Sequence, residues 1–237
     1  MKNKIREANI YMIISKTFSG LNMNALKYLL PLWISPLMGV TLRCTFAALA
    51  FWIIGMFTKP ETSSRREKIL LFLLGALGIY GFMFFYLLGL SKTTPVSSSI
   101  FSSLQPIWVF ILSVIFFKET ITKMKITGIL IGLGGALLCI LQKSDDLASD
   151  AFTGNLLCLL SSLAYAIYLI ASNRILKHVG VMTMLRYTFS GAAFSAIIVS
   201  GFTGFETTLF TLPIHWKPMA VLAFVLIFPT VISYLLI

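Results

Sequence analysis

LRCTF, residues 42–46, lies inside an apolar stretch running from about Pro36 to Phe57, and LRYTF, residues 185–189, repeats it 143 positions later. The two belong to a longer correspondence. ANIYMIISKTFSGLN from Ala8 aligns with GNLLCLLSSLAYAIY from Gly154 at an offset of 146, and FFYLL ending at Leu88 aligns with ISYLL ending at Leu236 at an offset of 148. Three apolar segments therefore recur in the same order. Each has close to the roughly 20 residues that a helix needs to cross a hydrocarbon core about 30 Å thick.

Composition points the same way. With 58% hydrophobic and 11% charged residues and a mean hydropathy of +0.92, the chain has too little polar surface to solvate a globule of its size, so it is read as a membrane protein. Continuous apolar runs without alternation exclude a lipid-facing barrel and predict an all-α polytopic bundle. Eight spans are expected, at about 9–29, 36–57, 68–90, 97–117, 125–142, 154–173, 182–201 and 218–237, with no gap long enough for a soluble domain. The basic start MKNKIREANIYMII has the flank of a signal peptide, but its apolar run breaks at Ser15, Lys16 and Thr17, which favours a retained first span.

The net charge of +11 does not predict a nucleic-acid partner, because the 19 Lys and Arg are spread over short connections. Twelve fall on one side of the expected topology: Lys2, Lys4, Arg6, Lys59, Arg65, Arg66, Lys68, Lys118, Lys123, Lys125, Arg174 and Lys177. Lys27, Lys92, Lys143 and Lys217 fall on the other, with Asp145, Asp146, Asp150 and Glu206. The positive-inside rule then predicts a cytoplasmic amino terminus, and the cell membrane is the expected location. Five spans make an odd number, so the copy enters from the opposite side: residues 1–145 form one repeat, and 150–237 form its inverted and incomplete partner. Inverted repeats are the architecture of many secondary transporters, with the substrate site between the halves.

Inversion sets Arg43 in the outer half of its span and Arg186 near the cytoplasmic end of its own. A charge at a helix centre costs on the order of 2.5–3.5 kcal/mol on insertion scales, and less toward the ends. Symmetric anchors snorkelling to an interface are the leading reading; substrate contact and a gating ion pair are the alternatives. Polar residues at helical spacing are the candidate solute contacts. Ser15, Ser19 and Asn22 sit at i, i+4 and i+7, as do their repeat partners Ser161, Tyr165 and Tyr168. Ser98, Ser102 and Gln105 follow the same spacing, and Pro106 removes the amide that would bond the Ser102 carbonyl. Tyr80 joins them by location alone. The competing reading of each stripe is interhelical hydrogen bonding that only holds the bundle together. Lys16, if buried, could lose its proton and couple transport to a gradient; snorkelling is the duller option.

The remaining motifs are structural. GILIGLGGAL, residues 128–137, lacks the third glycine and the preceding strand of a nucleotide loop, so Gly128 and Gly132 are read as a helix seam, and Gly75, Gly78 and Gly81 as another. Ser64 and Glu67 form a capping box. Cys44, Cys139 and Cys158 have no metal-ligand spacing and are read as buried thiols. His178 and His215 fall on opposite sides, so neither a catalytic pair nor a metal site is expected, nor is a cofactor.

Residues 87–138, LLGLSKTTPVSSSIFSSLQPIWVFILSVIFFKETITKMKITGILIGLGGALL, resemble the signature pair of spans of EamA-type members of the drug/metabolite transporter superfamily. The likeness lies in the small-residue entry Ser97, Ser98 and Ser99, the mid-helix Pro106, Glu119 at the cytoplasmic end, and Gly128, Gly132 and Gly135. SGLNMNALKYLL, with Gly20, Asn22 and Lys27, resembles the family's first span, and Arg43 matches its second-span arginine. The resemblance implies ten helices in two inverted halves and transport of a small metabolite or drug-like solute by alternating access, without an enzymatic step. The chain departs from that pattern by stopping in PTVISYLLI: the equivalents of Pro106 and Glu119 would fall near 254 and 267, so a carboxy-terminal truncation is expected.

The expected partners are therefore a small-molecule solute, the lipid bilayer and, at most, a second copy in a homodimer. Two rival readings stand beside transport. One is a fragment with only a structural or partner-associating role. The other is a membrane-embedded enzyme acting on a lipid-linked substrate, for which Glu61, Glu67 and Glu119 offer acids without a His or Asp companion.

Overall fold

The computed structural model describes residues 2–30, 32–58, 61, 63–118, 122–141, 148–176, 179–204, 209 and 215–236. Within them the chain forms helical rods α1 (Lys2–Leu29), α2 (Pro36–Met56), α3 (Arg65–Lys92), α4 (Pro95–Phe117), α5 (Lys123–Leu141), α6 (Ala148–Leu176), α7 (Val181–Thr203) and α8 (Trp216–Leu236). There is no strand among the described residues. Each rod coincides with one of the expected spans. In α2, α3, α4, α7, α8 and the Asp150–Asn173 part of α6, the helices are long and apolar enough to cross a membrane. The protein is an all-α polytopic membrane bundle. Glu119, Lys143, Asp145, Asp146, Lys177, His178 and Glu206 lie outside the described residues, as does the side chain of Cys139. Cys44 and Cys158 are buried free thiols.

Helix starts follow local chemistry. The Ser35 hydroxyl accepts from the Met38 amide at 3.2 Å, with Pro36 in the first turn of α2. The capping box at α3 forms: the Glu67 amide donates to Ser64 Oγ at 3.2 Å and the Ser64 amide donates to Glu67 Oε2 at 2.7 Å. Gly180 has no side chain with which to cap α7. Glu61, from the α2–α3 connection, does so instead, accepting from the Thr183 amide at 2.8 Å.

Three rods are interrupted where function could use it. α3 contains a π turn at Gly75–Ile79, and α8 contains one at Phe228–Ile232 that includes Pro229. α4 stops at Ser102 and restarts at Gln105 with Pro106 in its new first turn. Pro106 has no amide for the Ser102 carbonyl, and its ring would clash with that carbonyl in a continuous helix.

In the packing, α2 lies along α7, α3 along α6, and α1 along α8. Glycines allow the closest crossings. A Cβ on Gly75 would strike the Thr188 carbonyl of α7, and one on Gly191 would strike the Phe72 carbonyl of α3. Gly89 and Gly154 do the same for α3 and α6, where an added Cβ on either would sit 2.8–2.9 Å from the other's carbonyl oxygen. The expected seams are only partly realised. Gly132 is tight against Ile107, whereas Gly81, Gly128, Gly134 and Gly135 have no neighbour among the described residues within 4 Å of an added Cβ. Large apolar side chains such as Leu49, Ile53, Leu77, Leu130 and Phe202 point outward, as lipid contact requires.

Lys27 closes the far end of α3. Its Nζ donates to the carbonyls of Leu90 at 2.9 Å, Ser91 at 3.2 Å and Thr93 at 2.7 Å, oxygens left without amide partners at a helix end. Lys27→Met is expected to cost about 2 kcal/mol, in the range for hydrogen bonds to a charged group, read as a lowered unfolding temperature in detergent. Thr93 then ties this end to α6, donating from Oγ1 to Asn155 Oδ1 at 2.6 Å.

Candidate functional site

A cavity of about 370 Å³ opens between α1, α2, α3, α4, α6 and α8. From α1 come Lys16, Ser19, Gly20, Asn22 and Met23; the broken middle of α4 supplies Ser99, Ser102, Ser103 and Gln105. Phe82 and Tyr86 of α3, Tyr165 of α6, and Pro229, Ser233 and Tyr234 of α8 form an aromatic and hydroxyl-bearing wall around Arg43 of α2. The Phe82 and Tyr165 ring centroids are 4.6 Å apart.

The position of Arg43 follows from Pro229. Proline supplies no amide for the carbonyl four residues back, that of Val225. Thr230 Oγ1 donates to this oxygen instead, at 2.8 Å, inside the π turn of α8. The same Oγ1 accepts from Arg43 Nε at 3.0 Å. A proline in α8 thus presents a hydroxyl that fixes a guanidinium on α2. Arg43 is only 5% exposed, and Thr230 is its sole hydrogen-bond partner among the described residues. Asn22 is 7% exposed, and its Oδ1 has no hydrogen-bond partner there either.

Of the predicted contacts, Lys16, Ser19, Asn22, Ser102, Gln105 and Tyr165 border the cavity. Lys16 is exposed, in contrast to the buried ammonium considered from sequence. Four others are placed elsewhere. Ser15 sits at the α1–α8 crossing, its Oγ 3.0 Å from Ser233 Oγ. Ser98 is fully buried against Cys158 of α6, whose Sγ lies 3.5 Å from its Oγ. Tyr168 packs against Gly78, and Tyr80 stacks on Phe84 with centroids 5.8 Å apart. Pro106 is exposed on the α4–α5 side, beside Phe110 and Gly128.

The two arginines have different surroundings. Arg43 turns inward and does not snorkel, so the anchor reading is corrected for it. Arg186 lies across Gly55, with its guanidinium 5.4 Å from the Trp52 ring centroid and its Nε without a hydrogen-bond partner among the described residues.

Sequence reasoning missed Ser99, Ser103, Phe82, Tyr86, Ser233 and Tyr234. The face of α4 that meets the cavity runs through Ser99, Ser102 and Ser103, at i, i+3 and i+4 of one helical segment, whereas Ser98 faces Cys158 of α6. Tyr86 and Tyr234 carried a usable signal, because they are the equivalent tyrosines of FFYLL and ISYLL.

A polytopic helical bundle around a part-enclosed cavity, lined mainly by apolar surface with a few polar and charged groups, has the form of a solute-moving membrane protein. The model of the EamA-like transporter family matches residues 6–141, and the chain belongs to that family. It is 30% identical to an uncharacterised transporter, YyaM, of Bacillus subtilis (strain 168), over 98% of this chain and 77% of that one. It is also 31% identical to an uncharacterised transporter of Archaeoglobus fulgidus, over 74% of this chain and 60% of the relative. A 131-residue stretch is 31% identical to the thiamine-repressible mitochondrial transport protein of Saccharomyces cerevisiae, covering 53% of this chain and 32% of that protein. A solved crystal structure shares the fold with a TM-score of 0.63 at 19% identity, over 98% of this chain and 77% of that one. The protein is a multi-pass membrane protein whose function is membrane transport of a solute.

Proposed function

We propose that the chain carries a small organic solute by alternating access, with the cavity beside Arg43 as the solute site and the amino terminus in the cytoplasm. The observation that carries this reading is a cavity of about 370 Å³ walled by both halves of the chain: α1 to α4 on one side, α6 and α8 on the other. The packing supports it as well. Exchanging the halves of an inverted repeat would map the α2–α7 pair onto itself and α1–α8 onto α6–α3, and all three of these pairs are in contact. Rocking of one half against the other would open the cavity alternately to each side. Solute contacts are assigned to Ser19, Asn22, Ser102, Gln105 and Tyr165, with Lys16 at the rim. Ser15, Ser98, Tyr80 and Tyr168 support them from behind.

The test is flux in proteoliposomes across a panel of small metabolites. Asn22→Leu combined with Gln105→Leu is expected to reduce transport at least tenfold, while membrane insertion and the unfolding temperature stay near those of the parent. Undiminished flux in the double variant would remove the cavity from the transport path.

A further inference from the structure

The cavity carries positive charge and, among the described residues, no carboxylate. Its lining includes the cations Lys16 and Arg43 but no Asp or Glu. Arg43 is the telling member. Its side chain is more than nine-tenths buried, Thr230 holds only Nε, and the terminal nitrogens have no hydrogen-bond partner among the described residues. The groups around it are the neutral Tyr86, Tyr234 and Ser233. A guanidinium keeps its charge under all ordinary conditions, and its planar fork matches an oxyanion through two parallel N–H donors. A buried charge without a counter-ion is unfavourable unless something else supplies the opposite charge. A site that is open to solvent and poised over such a fork selects an anionic occupant.

We infer that the transported solute is an organic acid whose carboxylate is bound by the Arg43 guanidinium, with its apolar or planar body against Phe82 and Tyr165. This rests on the cavity being the solute site. A single carboxylate matches one buried cation, whereas a doubly charged phosphate would leave charge uncompensated with only the exposed Lys16 to assist. Asn22, with its unpaired Oδ1 in the same cavity, is available to a second polar group on the solute. The hydroxyl of Thr230 acts as a positioning group that aims the fork.

The test measures binding by thermal shift, with the purified chain in phosphatidylcholine nanodiscs. The probes are benzoate and phenylacetate, their neutral counterparts benzamide and phenylacetamide, benzylammonium, and inorganic phosphate. The acids are expected to bind at least tenfold more tightly than the amides, with benzylammonium weakest. Arg43→Gln should bring acid and amide within about twofold of each other, Arg43→Lys should keep the preference in part, and Arg186→Gln should keep it in full. Should Arg43→Gln not fold, the acid-to-amide ratio of the parent and the Arg43→Lys and Arg186→Gln variants decide the matter. Equal binding of acids and amides would overturn the inference while leaving the solute site intact, as would loss of the preference in Arg186→Gln. Phosphate binding more tightly than the acids would overturn the carboxylate assignment, and loss of acid binding in phosphatidylglycerol nanodiscs would reassign the site to a lipid headgroup. If no acid binds, this inference fails even where flux and its loss in the Asn22 and Gln105 double variant stand.

Discussion

Gly191→Val is expected to abolish recovery of the folded bundle. At the α3–α7 crossing each helix offers a glycine to the other's backbone: Gly191 faces the Phe72 carbonyl, with the Ala76 amide 2.9 Å from where a Cβ would stand, and Gly75 faces the Thr188 carbonyl. Carbonyl oxygens held in helical hydrogen bonds cannot rotate away as a side-chain end can, so the helices must separate or bend. Overpacking in a well-packed interior costs about 1–3 kcal/mol, and sometimes more. Here the larger valine against backbone belongs at the upper end, about 3 kcal/mol. Close approach of helices is also what replaces the hydrophobic effect as the driving force in lipid. The check is monodisperse recovery in detergent together with thermal unfolding. Gly201→Ala, where nothing among the described residues lies within 4 Å of the added carbon, should behave like the parent. If Gly191→Val folds and unfolds as the parent does, the two helices do not meet through their glycines.

Thr230→Val is the second large effect. It keeps the shape of the side chain but deletes the hydroxyl that serves both the Val225 carbonyl and Arg43 Nε. Arg43 Nε is then left buried without a partner among the described residues, and the Val225 carbonyl loses its hydroxyl donor. Removing one member of a buried hydrogen bond costs about 1–3 kcal/mol, more where a charge is involved, so a loss of about 3 kcal/mol is expected. Thr230→Ser restores the oxygen and should recover most of it, which separates the hydroxyl from the methyl. Transport should fall with the loss of aim at Arg43 even at temperatures where Thr230→Val remains folded. Parent-like stability and flux in Thr230→Val would show that Arg43 is held by something other than this hydroxyl.

The LRCTF and LRYTF repeats show how far sequence reading reached. Apolar run length alone located every helical rod, six of which are long and apolar enough to cross a membrane, because a lipid-embedded helix must satisfy its own backbone and needs about 20 residues to do so. The polar stripes predicted Ser19, Asn22, Ser102, Gln105 and Tyr165 at the cavity, since helical spacing is a local property. It could not choose Ser99 and Ser103 over Ser98, whose face is turned by about 100° per residue on the same helix, because which of the neighbouring faces meets the cavity is set by how α4 packs against α6. Nor could it distinguish Arg43 from Arg186. The two occupy equivalent repeat positions, yet one meets a hydroxyl presented by Pro229 and Thr230, and the other lies over Gly55 and Trp52.

The amino-acid sequence by itself determined that this chain lives in lipid as a bundle of helices and which helix faces are polar, because burial in hydrocarbon constrains every residue through its own chemistry. Tertiary structure alone decided which of the polar faces converge on one cavity and which of two equivalent arginines stands in it. Those outcomes depend on the rotation and crossing of helices far apart in the chain, set by glycine contacts and proline breaks whose consequences are felt only across an interface.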